Sequence, residues 1–370
     1  MNETVLLTGA TGFVGMEVLS RLLEQPDTEV VALVRAEDRR AAAARMRSVL
    51  DLLLDDGEEA ARRVTAVPGD VAVDGLGLGG WDRFEILERV TSVVHCAASI
   101  AFDDPLLQAV NINAAGADRV AGLVGPIARR GRLRRFVHVS TAYVAGCHVG
   151  RFAESDLDVG QTFRNTYEHS KFHAERELRD GHDLPLTIVR PSIVVGDSRT
   201  GWTPTFNVIY WPLRAFAQGR LDDVPADPEG LVDVVPVDYV ADGVVGALRA
   251  PDAWPTLHIV AGDHAPTTVE IATLAAEHFG RPAPRLGAAG VGEGDLREGA
   301  VYLPYFDVRT RFEDGDTRAL LGEGVPAPPP LARYFATIIG YAQAADWGRT
   351  TVTRAAAARG ERPAATVTVS

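Results

Sequence analysis

Lysine is almost absent: of 37 basic residues, Lys171 alone is a lysine and the rest are arginine. Cysteine is nearly as scarce, with only Cys96 and Cys147, which excludes a disulfide framework and points to a reducing compartment. No run approaches the roughly 20 apolar residues needed to span a bilayer. The N-terminus passes straight into an apolar strand pattern with no basic leader, so a cytoplasmic protein is expected. Positive charge is also in deficit. A net charge of −13 argues against nucleic acid or an anionic membrane surface as the main partner, while leaving room for a local arginine pocket that binds an anion. His169 and His173 stand at metal-ligand spacing without an accompanying carboxylate or cysteine set, so no metal is expected. What remains is globular: 370 residues, 46% hydrophobic and 24% charged, enough for one large domain and a smaller one.

The chain opens with an apolar run, Thr4–Leu7, ending in Thr8-Gly9-Ala10-Thr11-Gly12-Phe13-Val14-Gly15. An amphipathic helix follows, and a second strand, Val30–Val34, ends at Arg35. Strand, glycine turn, helix and strand form a βαβ unit, so the fold expected is α/β, a Rossmann-type doubly wound parallel sheet. In that context Gly9 permits the tight turn, Gly12 lets backbone approach a pyrophosphate, and Gly15 allows close helix–strand packing. Further strands are expected at Val64–Val67, Ser92–Cys96, Phe136–Val139 and Thr187–Val189. Their ends bring Thr8, Ala97, Thr141 and Pro191 to one sheet edge, where ligands of such sheets bind. The run Gly75–Gly80 imitates a second phosphate loop, but no good helix pattern starts from it, and it reads as a surface loop.

Beyond Gly196 the pattern changes. Trp202, Phe206, Tyr210, Trp211 and Phe216 crowd a short span, and strand and helix signals alternate less regularly. The expected division is a nucleotide-binding domain over 1–196, a mainly substrate-binding lobe over 197–348 with some segments returning to the sheet, and a flexible tail over 349–370. Trp202, Phe206 and Tyr210 are the candidate walls for an apolar substrate. A last helix is expected over Leu331–Ala344.

The stretch Tyr167-Glu168-His169-Ser170-Lys171 lies in a helix-favouring segment. Residues four apart share a helix face, so the ammonium is expected near the phenol, lowering its pKa. A phenol tuned this way exchanges a proton with a carbonyl oxygen. Spacing alone leaves an ordinary exposed Tyr and Lys equally open.

Taken together, the glycine turn, Thr141 after the fifth strand and the Tyr167/Lys171 pair resemble the extended short-chain dehydrogenase/reductases over almost the whole chain. The resemblance implies that Tyr167 is the acid/base, Lys171 its ribose-binding partner, and Thr141 the hydroxyl bonding the reacting carbonyl. It also implies that the coenzyme lies along Thr8, Gly9, Thr11, Gly12, Phe13, Val14, Gly15, Arg35, Asp70, Val71, Ala97, Ala98, Lys171, Pro191 and Ser192. Asn113, in Asn111-Ile112-Asn113-Ala114-Ala115-Gly116-Ala117, matches the family's helix-four asparagine; Ala117 stands where threonine is usual. The run His95–Leu106 is similar to fatty acyl-CoA reductases. Leu33-Val34-Arg35-Ala36, with the alanine/arginine helix after it, is similar to the thioester reductase domains of carboxylic acid reductases. These relatives imply reduction of an acyl thioester, on coenzyme A or an acyl carrier protein, to an aldehyde and sometimes onward to an alcohol.

NADP(H) is the expected cofactor, because NAD-preferring sites place an acidic residue after the second strand and this chain has Arg35 there. A guanidinium suits a 2′-phosphate. Other readings share the catalytic set: an alcohol, ketone or aldehyde dehydrogenase, a nucleotide-sugar epimerase, or a non-catalytic nucleotide sensor. Dehydration is disfavoured because Ala142-Tyr143 follow Thr141 where the dehydratases of this fold carry Asp-Glu.

Overall fold

The computed structural model describes residues 3–55, 57–251, 254–287, 299–322, 325 and 327–363. Seven strands form one sheet: β1 (Glu3–Thr8), β2 (Thr28–Val34), β3 (Val64–Pro68), β4 (Ser92–His95), β5 (Arg135–Val139), β6 (Leu186–Pro191) and β7 (Thr256–Ile259). All pairs are parallel, in the order β7-β6-β5-β4-β1-β2-β3. The order reverses direction between β1 and β4. That reversal opens a crevice at the carboxyl ends of these two strands, at Thr8 and His95.

Because helices cover both faces, the strands are apolar on both. Val5, Leu7, Val30, Val94 and Val137 pack on one side with helix α1 (Phe13–Leu23) and the helix Val237–Arg249. Leu6, Val31, Val93 and Phe136 pack on the other with the long helix Leu106–Arg129. A second core holds the C-terminal part together, with Phe152, Tyr210, Phe216, Tyr305, Phe312 and Phe335 among its buried members. Three short parallel strand pairs brace this part: Ile193–Val195 with Val234–Pro236, Gly150–Phe152 with Thr310–Phe312, and Asp223–Val224 with Arg285–Leu286. Strand β7 lies far along the chain, yet it forms the sheet's edge beside β6.

A buried ion pair fastens the helix Thr166–Gly181, which carries Tyr167 and Lys171, to the sheet. Arg190 of β6 is fully buried and donates to Glu175 through Nε at 2.9 Å and a terminal nitrogen at 2.7 Å. The same guanidinium meets His258 of β7 at 3.1 Å and the Asp156 carbonyl at 2.8 Å.

Three expectations need correction. The stretch Gly75–Gly80 is not simply a surface loop: Leu76 is buried within it, and a helix, Gly80–Arg89, starts at its end with Gly79 as N-cap. The weak sequence signal reflects a glycine at both the cap and the first helical position. The stretch over 349–370 is ordered as far as the structure describes it. Thr353 caps a short helix, Arg354–Ala358, and Arg354 clasps the buried Glu17 of α1 with bonds of 2.6–3.0 Å. Residues 364–370 lie outside the described residues. The last long helix runs Phe335–Ala344, separated by Tyr334 from a 3₁₀ turn at Leu331–Arg333.

Candidate active site

The glycine turn is built by contact as much as by conformation. Gly9 has φ +75°, and a Cβ there would sit 2.6 Å from the Ala97 nitrogen. A Cβ on Gly15 would meet the Gly9 carbonyl oxygen at 2.0 Å, so α1 lies directly on the turn. Gly12 is exposed, and the only atom near its missing Cβ is the Gly9 oxygen at 3.4 Å. Gly12 is also the N-cap of α1 and supplies no side-chain cap, and the first turn carries no acidic residue. Free N–H groups at the positive end of a helix dipole, reached across a turn without side chains, suit a diphosphate. These residues therefore fit a dinucleotide coenzyme on their own chemistry.

The remaining coenzyme candidates follow the crevice. Thr8 is buried, and its hydroxyl accepts from the Ala97 N–H at 3.2 Å, tying the ends of β1 and β4. Asp70 and Val71 follow β3; the Asp70 carboxylate accepts from the Ala72 N–H at 2.9 Å, and Val71 packs on Gly116. Arg35 is exposed after β2, and its carbonyl accepts from Arg45 at 2.9 Å, which brings a second guanidinium to the same corner. Arg45 escaped the sequence reading because it lies ten residues away, on the helix Arg39–Leu53. Arg39 is committed elsewhere, paired with Asp82 and Glu85.

The helix Thr166–Gly181 carries two of the three expected residues, and Thr141 lies after β5. Thr141 is buried, and it caps the turn Ala142–Ala145 by accepting from the Tyr143 N–H at 3.2 Å. Thr141 also acts on the Tyr167 phenol, favouring its ionised form. Asn165 caps this helix, accepting from the Glu168 N–H at 3.0 Å. One difference from expectation concerns Lys171. Its amine donates to the Val139 carbonyl at 2.7 Å and lies 3.5 Å from His138 Nε2, toward β5. The expected lowering of the phenol's pKa by this ammonium is therefore not the dominant influence. Burial pushes Tyr167 up to about 12, opposed by Thr141, and pushes Lys171 down to about 8. Desolvation disfavours the charged form of each group, and it outweighs their spacing along the helix.

Aromatic rings crowd the tyrosine, but not those expected. Phe102 lies 5.7 Å from the Tyr167 ring and stacks on Tyr305 at 5.1 Å, with Tyr302 edge-on at 5.6 Å. The loop carrying Phe102 is pinned to the helix Thr166–Gly181, since the Thr166 hydroxyl donates to the Asp104 carbonyl at 2.9 Å. Asn113 holds the same loop, accepting from the Ser99 N–H at 2.8 Å and donating to Ser170 at 2.8 Å. By contrast, Trp202 is fully buried, and its indole donates to the Val352 carbonyl at 3.1 Å. The Tyr210 hydroxyl, also buried, accepts from the Gly196 N–H at 2.9 Å. These two anchor the lobe rather than line a wall; Phe206 alone of the three is partly open. Tyr302 and Tyr305 were missed because nothing local in Val301–Phe306 links them to a helix some 140 residues earlier.

Pro191 accepts from Thr141 through its carbonyl at 3.4 Å, which keeps β6's end beside that hydroxyl, and Ser192 follows it in the buried interior. Ala98 lies in the loop after β4, next to Ala97. Cys96 is no nucleophile, because burial pushes its thiol up to about 12, and Cys147 is exposed. His169 and His173 meet through their Nε2 atoms at 3.0 Å, and His169 stacks on Phe163. Among the described residues no group of three or more His, Cys, Asp or Glu could hold a metal, and no helix is long and apolar enough to cross a membrane.

Comparison with known proteins agrees with this geometry. The chain is 32% identical over 291 residues to an isonitrile lipopeptide synthase of Streptomyces coeruleorubidus, covering 77% of this chain and 19% of that protein. It is 26% identical over 315 residues to fatty acyl-CoA reductase 1 of Arabidopsis thaliana, covering 67% of this chain and 64% of the relative. The chain thus spans from a fifth to about two thirds of the length of these relatives. Among solved structures, the terminal R domain from the myxalamid PKS-NRPS pathway superposes with a TM-score of 0.81 at 25% identity, covering 93% of this chain and 91% of that one. UDP-glucuronic acid 4-epimerase from Bacillus cereus, solved with NAD, shares the fold with a TM-score of 0.68 at 17% identity, covering 93% of this chain and 98% of that one. Residues 7–244 match the family described as male sterility protein, and with more than half its length so matched the chain belongs to that NAD-binding family, on the extended short-chain dehydrogenase/reductase fold.

Proposed function

We propose that this chain reduces acyl thioesters, carried on coenzyme A or on a carrier protein, with NADPH as the coenzyme. The observation that carries the reading is the state of Tyr167. A phenol pushed up to about 12 keeps its proton across the neutral range, beside a buried Thr141 hydroxyl. That pair supplies an acid and a hydroxyl able to donate to a carbonyl oxygen, the two groups that reduction of a carbonyl requires. Support for a thioester over a ketone comes from the relatives, which include fatty acyl-CoA reductases, and from the run His95–Leu106 that places Phe102 on Tyr167. The site residues are proposed by the same reasoning: Thr141, Tyr167 and Lys171 for the chemistry, and Phe102, Tyr302 and Tyr305 as walls for the acyl or pantetheine arm.

A bound nicotinamide coenzyme supplies the hydride. Thr141 and Tyr167 hydrogen-bond the carbonyl oxygen as negative charge builds on it. Tyr167 passes its proton to that oxygen, and Lys171, charged below about pH 8, offsets the phenolate left behind. On collapse that proton returns to the Tyr167 phenolate as the carbon–sulfur bond breaks, the thiolate leaves, and the product is an aldehyde. Preference for NADPH follows from Arg35 with Arg45 at the corner where the ribose 2′ position belongs.

The test is NADPH consumption on acyl-CoA substrates, with released thiol followed by a thiol-reactive dye. Thiol released in step with coenzyme is expected, and NADH should be the poorer reductant. Reduction of ketones with no thiol released from any acyl-CoA or carrier-bound acyl group would replace this reading with a ketone reductase.

A further inference from the structure

Beneath the catalytic residues the sheet buries polar side chains that the proposed chemistry does not use. His95 ends β4 and pairs across the ladder with His138 of β5; both are fully buried. Their rings stack at 5.3 Å. On one side His95 Nδ1 lies 2.7 Å from the Thr8 hydroxyl, under the glycine turn. On the other, His138 Nε2 lies 3.5 Å from the Lys171 amine. His95 Nε2 and His138 Nδ1 have no hydrogen-bond partner. A polar ring between Val137 and Val139, in the middle of a buried parallel strand, costs stability that an apolar residue would not.

Burial and the adjacent ammonium keep His138 neutral. A neutral imidazole with its hydrogen on Nδ1 presents a lone pair at Nε2, and that lone pair faces the amine. The other titratable or charged groups that act on Lys171 are Glu175 on its own helix and His95 and Cys96 from β4. Arg190 of β6 reaches it only through Glu175, which it already holds. His138 is therefore the neutral side-chain acceptor at the amine, next to the Val139 carbonyl.

We propose that His138 is a positioning residue for the catalytic lysine, a neutral acceptor that together with the Val139 carbonyl fixes the Lys171 amine against β5 and supports its charged form. The use made of that charge rests on the reductase reading; the support itself does not.

Because Lys171 is the sole lysine, [13Cε]lysine labelling gives one resonance whose titration needs no assignment and no turnover. The wild-type signal should titrate near pH 8. In His138→Phe, which keeps a flat ring and loses the acceptor, the midpoint should fall by about one pH unit, roughly a tenfold shift in the protonation equilibrium. His138→Gln restores an acceptor near the Nε2 position and should bring the midpoint back toward wild type. The alkaline limb of kcat should move with these midpoints, while KM for the acyl substrate stays within about twofold. An unchanged midpoint in His138→Phe, or a glutamine variant that behaves like phenylalanine, overturns the proposal. Should His138→Phe fail to fold, 15N-histidine spectra of the wild-type protein decide: an unprotonated Nε2 supports it and an Nε2–H overturns it. A chain that reduces nothing with either coenzyme would remove the reductase reading and leave the lysine titration to be judged on its own.

Discussion

Lys171 and Glu175 are buried charges one turn apart on one helix, and the fold treats them in opposite ways. Glu175 is gripped by Arg190 through three contacts of 2.7–3.1 Å, with Arg179 at 3.4 Å. Lys171 has one short bond, to a neutral carbonyl, and a longer contact to a neutral ring. A buried charge with a full complement of partners is scaffold, because removing either member strands the other in low dielectric. A buried charge whose hydrogen-bond partners are neutral gives up its proton more easily, which is why such groups gather at sites of chemistry.

The comparison can be broken at its scaffold end first. Arg190→Met leaves Glu175 buried without its main partner and should cost about 3–5 kcal/mol of stability. A thermal or urea midpoint close to wild type would show that this pair is not what fastens the helix. Lys171→Met should do the reverse, lowering turnover by about 10²–10⁴ while the unfolding midpoint holds or rises. Loss of fold and activity together would erase the contrast. Arg35 represents a third treatment, an exposed charge facing a ligand, and Arg35→Asp should weaken NADPH by about 1.5–3 kcal/mol with little effect on NADH, read by fluorescence titration. Smallest is the pH effect. Lys171 carries its charge below about pH 8 and loses it above, so reduction should decline through that range by about tenfold per unit at most. A rate that stays flat to pH 10 would detach the lysine's charge from the reaction.

Much of the site could be read from the residues alone where contact demanded one residue type. Gly9 and Gly15 are such positions, because any side chain there would enter backbone. Gly75 and Gly77 look the same in the sequence, yet a Cβ on either meets nothing within 4 Å; their glycines answer to positive φ alone. Tyr167, Lys171 and Thr141 were legible through spacing and strand ends. The charge states were not, since desolvation depends on everything packed around a group. Distant partners were equally invisible: Trp202 reads as an apolar substrate wall until its indole is seen bonded to Val352, 150 residues on. His138 did leave a trace, a polar residue inside Phe136–Val139 where both faces of the strand are covered.

The clasp between Glu17 and Arg354 joins positions 337 residues apart. A ribosome adding about 5–20 residues per second takes on the order of tens of seconds to travel that distance. Throughout that interval the Glu17 carboxylate has Arg21, one turn along the same helix at 3.2 Å, but not the guanidinium that will grip it through both oxygens. The first helix therefore completes its charge pairing only when a segment 337 residues further on has been made, so the coenzyme half of the molecule, although early in the sequence, is finished late.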